Sequence, residues 1–486
     1  MAPASAITLC HEEWQGSDEI GSPARQNCKN AVTKQYHHAA FYKLMNLFIF
    51  RRDLRITDNT ALTWATNSGE TLPVFILDPV QQEQNPYFSP RARDFMMDSL
   101  DALRLYMQGQ GKDILVLRGD PVVNVLEVIR KYPVEDIFFN RDYTPFSKGR
   151  DSAIAVAASR FGVGIKAYDD YMLSDPEIKS QGGNYFTNFT AFYRRALKTE
   201  VRNPVTDVRW NNLCKFSDGG AVSREPQPRG REDGLMMLDS YVRESMENEP
   251  TKEGIIGASK NTRLSAHLKF GTLSVREVYN AFKRIQGGEQ LIRQLYWRDF
   301  FLYLIYHFPQ AITQPFNKRV GKFAWQNDRS MIDAWKNGMT GFPIVDAAMR
   351  ELNKTGFIEN RLRLVVSSFL VKDLHADWRI GEQYFATKLI DYDPASNNGN
   401  WQWVASTGTD PRGGFRIFNP WIQQRRLDPD CSYIRSKVEE LAGIEPYVIH
   451  NIMYYRVKDY PQPIIDHNVA SQEFREIYLH AVRRTR

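Results

Sequence analysis

Asn46-Leu-Phe-Ile-Phe50 runs directly into Arg51-Arg-Asp-Leu-Arg-Ile-Thr-Asp-Asn59. A short apolar run that stops at a charged turn reads as a strand buried on both faces. The pattern returns at Leu72-Pro-Val-Phe-Ile-Leu77, Ile114-Leu-Val-Leu117, Ile137-Phe-Phe139 and Ile165-Lys-Ala-Tyr168. Stretches of helical period, 91–109 and 122–132, separate these runs. Strand, loop and helix in alternation predict a doubly wound parallel sheet with helices on both faces. Ligands of such sheets bind at the carboxyl ends of the strands. No GxGxxG occurs there, which speaks against a dinucleotide-binding unit.

This α/β block spans 45–174. Residues 175–233 carry Gly182-Gly183, Gly219-Gly220 and several prolines, with few periodic apolar runs. They are expected to form a long connector laid over a surface. From 234 to 480 the pattern is almost entirely helical, so the fold class is α/β followed by all-α. Residues 1–44 are polar, mixed in charge and weakly periodic. They are expected to be a disordered extension, or an upstream start that folding does not need. They contain no apolar core of a secretory signal, and Glu12, Glu13, Asp18 and Glu19 are too acidic for a transit peptide.

With 486 residues, 42% of them hydrophobic, the chain can bury ample core, enough for about two to three domains. No run of about 18 apolar residues predicts a membrane span. The net charge of +6 fits a face that meets phosphate, and equally an ordinary basic protein. Aromatic residues reach 13%; they fill cores, and they also stack on planar cofactors or bases. The four cysteines, Cys10, Cys28, Cys214 and Cys431, are scattered without CxxC spacing. That points to an intracellular reducing compartment, cytoplasm, nucleus or organelle, and away from a disulfide frame or structural zinc.

The densest chemistry lies in Asp391-Tyr-Asp-Pro-Ala-Ser-Asn-Asn-Gly-Asn-Trp-Gln-Trp403, after a helix-like segment from Phe357 to Trp378. Acids, amides and indoles this close together suit a bound polar aromatic cofactor. A polar loop followed by an amphipathic helix would show the same composition. Single residues carry the same two readings. Asn261-Thr-Arg-Leu-Ser265 precedes a helix, where anions bind, or where Ser265 simply caps the helix. Arg363 and Asp391 fit a buried ion pair. Asn397 fits a turn before Gly399. Trp325, Trp378 and Trp401 fit core aromatics. Arg361, Arg425 and Arg426 fit either a solvated face or contacts to a phosphate backbone.

Taken together, five blocks in order resemble the photolyase/cryptochrome family. They are Phe50–Asn59; Asn261–Ser265 with Leu268 and Gly271; Gln294-Leu-Tyr-Trp-Arg-Asp-Phe300; Trp335 through Thr340–Arg350; and Asn360 to Pro420. The resemblance covers roughly 45–480 and implies an α/β domain, a connector and a helical domain that cradles FAD. Asn360–Arg363 and Asn397–Trp403 bring it nearest to class I cyclobutane pyrimidine dimer photolyases. The 6-4 photolyases carry a His pair in this region, whereas no His lies between Leu352 and Lys372.

By that resemblance, Asn261, Thr262, Arg263, Leu264 and Ser265 hold the FAD phosphates. Arg363 and Asp391 flank the isoalloxazine ring, where the Arg charge favours an anionic reduced flavin. Arg298, Asn360, Tyr392 and Asp393 complete the cofactor contacts, and Asn397 faces flavin N5. Trp401, Trp378 and Trp325 match an electron-transfer chain, with Trp403 outside it. Gln294, Trp297, Asn360, Arg361 and Gln423 match the side that receives a flipped lesion, and Asn397, Gln294, Trp297 and Asn360 the catalytic set. The chain departs from class I at Gln294 (usually Glu), Leu364 (usually Met), Glu359 (usually His) and Phe357 (usually Trp). A Tyr usual upstream of the phosphate loop has no match near Asn248–Glu249. The loop Asn140–Phe146 stands where an antenna pigment, folate or deazaflavin, is bound, but lacks the usual Glu.

The implied activity is light-driven repair of DNA containing UV-induced pyrimidine dimers, by a monomer with no membrane partner. The alternatives are a cryptochrome-type blue-light receptor, including the DASH group, and, further off, a 6-4 photolyase.

Overall fold

The computed structural model describes residues 43–82, 85–215, 229–247, 261–318, 323–409 and 416–483. Most of the N-terminal extension, Gly219-Gly220 and Asn248–Glu249 lie outside the described residues. All five expected strands form: β1 Met45–Phe50, β2 Glu70–Leu77, β3 Leu115–Arg118, β4 Val134–Asn140 and β5 Gly164–Tyr168. They make one parallel sheet in the order β3-β2-β1-β4-β5. Four helices make the crossovers: α1 Thr60–Ser68, α2 Pro90–Gln108, α3 Pro121–Lys131 and α4 Pro145–Ser159.

The period of two along β1 sorts its side chains between two cores. Leu47 and Ile49 pack with Val125 and Val128 of α3 and Ile154 of α4. Phe48 and Phe50 pack with Leu62 of α1 and Phe95 and Leu103 of α2. The starts of α2, α3 and α4 are encoded locally. Ser89, Asp120 and Thr144 each accept a hydrogen bond from a first-turn N–H, and each is followed by proline.

The expected connector is only partly a surface chain. It contains α5, Phe189–Ala196, and buries Phe186, Phe189 and Phe192. Phe189 stacks on Trp297 at 3.6 Å between centroids, and Tyr185 stacks on His307 at 3.6 Å. Two turns of helix among glycines and prolines give too short a periodic run to be read from sequence.

The remaining helices are α6 Arg231–Glu247, α7 Ser265–Phe270, α8 Val275–Phe282, α9 Glu289–His307, α10 Arg329–Asn337, α11 Pro343–Thr355, α12 Asn360–Ser368, α13 Trp378–Lys388, α14 Pro394–Val404, α15 Pro420–Leu427, α16 Ser432–Lys437, α17 Pro446–His450 and α18 His467–Arg483. None of the described helices is long and apolar enough to cross a membrane.

Two expectations are corrected here. The segment from Phe357 to Trp378 is not one helix. α12 passes into a π-turn, Phe369–Asp373, and His375 at φ 51° ends it. Trp378 then opens a new helix capped by Asp377. The stretch after Asp391 is mostly helix rather than polar loop. Asp393 caps α14 by accepting from Ser396 N at 2.9 Å, and Pro394 occupies the first turn. Asn397 is therefore a buried helical residue, not a turn asparagine.

Phe50–Asn59 fastens the sheet to the helical domain. Arg55 pairs with Asp170, and Arg276 of α8 reaches Asp58 and Asp170, both at 2.7 Å. Leu54 N donates to Phe270 O at 3.0 Å. Gly271, at φ 66°, closes this contact, because a Cβ there would collide with the backbone of Arg52.

Candidate functional site

Helices α12 and α14 each turn one stripe toward a shared cavity. Asn360, Arg363, Leu364 and Ser367 line it from α12 at helical spacing. Ser396, Asn397, Asn400, Trp401 and Val404 line it from α14, with Asp391 and Asp393 at the near end. The cavity has a volume of about 60 Å³ accessible to water-sized molecules.

Its polar groups are already oriented. Arg363 Nη2 pairs with Asp391 Oδ2 at 2.8 Å, and its Nε donates to Ile358 O at 2.9 Å. The other Asp391 oxygen is buried without a partner. The Asn397 amide donates to Glu382 O at 3.0 Å, so its carbonyl remains for a ligand. Glu382 itself is buried, and its carboxylate accepts from Asn398 Nδ2 at 3.1 Å. Burial pushes its pKa up to about 7.

A second concavity opens on the other side of Leu364. Arg361, Leu364, Trp403, Arg416, Phe418 and Gln423 line this groove together with Arg475. The Arg416 guanidinium lies 5.7 Å over the Trp403 ring. Trp403 was not assigned a role from sequence. It follows Trp401 by two residues, about 200° around a helix, so one indole faces the core and the other the groove. Ser367, Asn400, Arg416 and Arg475 were also missed. The first two continue the stripes of Asn360–Arg363 and Asn397, so their spacing was a usable signal. Arg416 and Arg475 come from distant segments and carry no such signal.

Trp401 and Trp378 are buried, and Trp325 packs against the same cluster. The Trp401 ring lies against Gly381, where any Cβ would collide with it. Gly381 stands one turn after Trp378 on α13. Gln326 N donates to His375 O at 3.0 Å and Asp377 N to Asn327 Oδ1 at 2.7 Å, which fixes the Trp325 segment beside the start of that helix. The indole N–H groups of Trp378 and Trp401 find no acceptor, whereas that of neighbouring Trp335 donates to Val366 O.

Other sequence-expected residues lie apart from both concavities. Gln294 is exposed on α9. Trp297 has one face covered by Phe189, and Phe301 at 5.6 Å stands between it and Gly399 of α14. Arg298 donates to Tyr171 O at 2.5 Å. Tyr392 stacks on Tyr87 of the α/β domain. The residue that starts α7 is Leu264, without a side-chain cap, so Ser265 is not the helix cap. Instead Asn261 Oδ1 accepts from Arg263 N at 3.0 Å, and Arg263 adopts φ 52°. Its guanidinium lies 5.5 Å over Phe357, which brings the 261–265 turn beside the start of α12. Arg425 is tied to His450 O at 2.9 Å, while Arg426 is exposed.

These residues fit FAD. A carboxylate oxygen without a partner faces a polar cavity beside an arginine, as a flavin's edge requires. Lys269 and Arg298 are half-buried around Asp393, and loss of solvent pushes both toward the neutral form. An anionic group such as a diphosphate would relieve that cost.

Comparison with known proteins agrees. Residues 46–208 match a family described as DNA photolyase, and residues 291–480 match the FAD binding domain of DNA photolyase. The chain is 32% identical to the deoxyribodipyrimidine photo-lyase of Halobacterium salinarum, over 88% of its own length and 98% of that protein. It is similar to an archaeal photolyase from Sulfolobus tokodaii, whose crystal structure holds two FAD molecules. That likeness has 40% identity and a TM-score of 0.81, covering 90% of this chain and all of the other. A class III photolyase from Agrobacterium tumefaciens also gives a TM-score of 0.81, at 27% identity, over 92% of this chain and all of the other.

Proposed function

The chain belongs to the photolyase/cryptochrome family, and from that premise we propose that it is a light-driven lyase that splits cyclobutane pyrimidine dimers in DNA. The observation that carries this reading is the pairing of a polar, buried cavity with a basic, aromatic groove across one side chain, Leu364. When bound, reduced FAD supplies an electron on absorbing blue or near-UV light, which opens the cyclobutane ring and is then returned.

The protein's own residues bind, orient and exclude water. Arg363 and Asp391 would hold the flavin's polar edge, and the free Asn397 carbonyl would accept a hydrogen bond from the reduced ring. Asn360 reaches between the cavity and the lesion. Trp325, Trp378 and Trp401 form a buried path of easily oxidised rings leading to the cavity. Among the described residues the buried N–H groups of Trp378 and Trp401 have no base to take a proton, which supports electron passage between them without proton loss. In the groove, Trp403 and Phe418 supply an apolar wall for extruded bases, and Arg361, Arg416 and Gln423 meet the backbone. Trp297 and Gln294 join this face only if Phe189 or the lesion strand rearranges around α9. The class I assignment rests on sequence motifs, and the similar class III structure makes class a separate question. For the antenna, the two FAD molecules of the archaeal relative add a flavin to folate and deazaflavin.

The test is recovery of intact thymines from dimer-containing DNA under blue light. Absence of repair on both single- and double-stranded substrate defeats the proposal. Photoreduction without repair would favour the cryptochrome-type receptor, and turnover of 6-4 lesions alone would favour the third reading.

A further inference from the structure

We infer that Arg52, a residue of the α/β domain, is a positioning residue of the flavin site: it holds Asp393 in the orientation that caps α14, and so places Asn397 and Trp401. Arg52 leaves the carboxyl end of β1 and is buried. Its Nη1 donates to Asp393 Oδ2 at 2.6 Å and its Nη2 to Asp142 Oδ1 at 2.8 Å, with the guanidinium 4.7 Å over the Tyr171 ring. The other Asp393 oxygen, Oδ1, accepts from Ser396 N. One carboxylate therefore joins the two domains, with one oxygen on the arginine and the other on the helix start. Asn397 stands one residue after Ser396.

The remaining groups around Asp393 do not substitute for Arg52. Lys269 Nζ lies 3.7 Å from Oδ2, close enough to add charge but beyond a hydrogen bond. Arg298 contributes charge only, while its Nη1 donates to Tyr171 O. Burial alone would raise the Asp393 pKa, but Lys269 and then Arg52 hold it well below the usual carboxylate range.

The α/β domain also grips the chain entering this loop. Ser89 Oγ donates to Leu389 O at 2.9 Å, and Tyr87 stacks on Tyr392. Residues 389–393 are thus held from both ends by a domain that does not line the cavity.

The inference rests on reading this cavity as the FAD site. Its test uses the full chain stripped of flavin and titrated with FAD, following flavin fluorescence from pH 5 to 8. Arg52→Met should bind FAD roughly tenfold more weakly at pH 8, the loss of one charge-assisted hydrogen bond. The deficit should hold across that range, because Lys269 still keeps Asp393 charged. Arg52→Lys restores charge without the fork, so it should recover only part of the affinity. Asp142→Asn removes the ion pair that Arg52 makes within its own domain but leaves the Asp393 contact, and should stay within about twofold of wild type.

Wild-type affinity in Arg52→Met overturns the inference. So does an equal loss in Asp142→Asn, since the packing of Arg52 within its own domain would then explain it. If Arg52→Met does not fold, Arg52→Lys against Asp142→Asn decides: a larger loss in the first upholds the inference, and equal losses end it. A wild-type protein that takes up no FAD would defeat the functional reading instead.

Discussion

The cavity and the groove share Leu364 and are built on opposite terms. In the cavity three functional groups are prearranged: Arg363 is fixed by Asp391 and Ile358 O, Asn397 by Glu382 O, and Asp393 by Ser396 N. In the groove, Arg361 is exposed and Gln423 half-exposed, and stacking on Trp403 orders Arg416. A permanent cofactor repays burial and rigidity, because ordering is done once, during folding. A ligand that must leave is met by solvated charge, which attracts without committing. The difference separates a site of fixed electrostatics from a site of salt-sensitive association.

Trp401→Phe attacks the cavity side hardest. Photoreduction should be lost while repair by pre-reduced protein survives; rapid photoreduction by the variant, seen as bleaching of flavin absorbance, would remove Trp401 from the path. Next, Arg363→Ala leaves Asp391 as a buried charge without its partner, at a cost of about 3 kcal/mol. FAD affinity should fall by about 100-fold, and a change below threefold in an equilibrium titration would show that the pair is structural only.

Glu382 sharpens the comparison through pH. Its folded pKa of about 7 lies above the ordinary 4.5, so folding favours its protonated form. Its contribution to stability is complete below about pH 4.5 and is lost as pH rises through 7. Glu382→Gln should therefore unfold at higher denaturant than wild type at pH 8, by on the order of 2 kcal/mol, with the gap closing toward pH 5. A constant gap in denaturant melts across that range would place the effect elsewhere.

The smallest effect belongs to the groove. Arg361→Ala should lower the slope of log affinity for DNA against log salt by about one, and an unchanged slope would take Arg361 out of the interface.

Much of this architecture was legible in the sequence, for reasons that differ by region. Short continuous apolar runs mark the strands, because both faces of β1 must be buried. The cavity was legible where its residues fall on two short segments, Asn360–Arg363 and Asp391–Trp401. What escaped were contacts between distant parts of the chain. Arg52 and Asp393 are 341 residues apart, and nothing local to either predicts the pairing. Trp297 matches the lesion-receiving side by sequence, and its cover by Phe189 stays hidden because Phe189 lies in a segment too short and too broken to announce a helix. The π-turn after Ser368 is likewise a tertiary outcome, invisible to a helical period.

Leu364 has one more consequence. Because the same side chain lines both compartments, donor and acceptor would be separated by little more than an aliphatic residue. Electron tunnelling decays steeply with gap width and with the packing of the medium. The bulk and rotamer of this one leucine would then set the pace of the chemistry without touching a proton or carrying a charge.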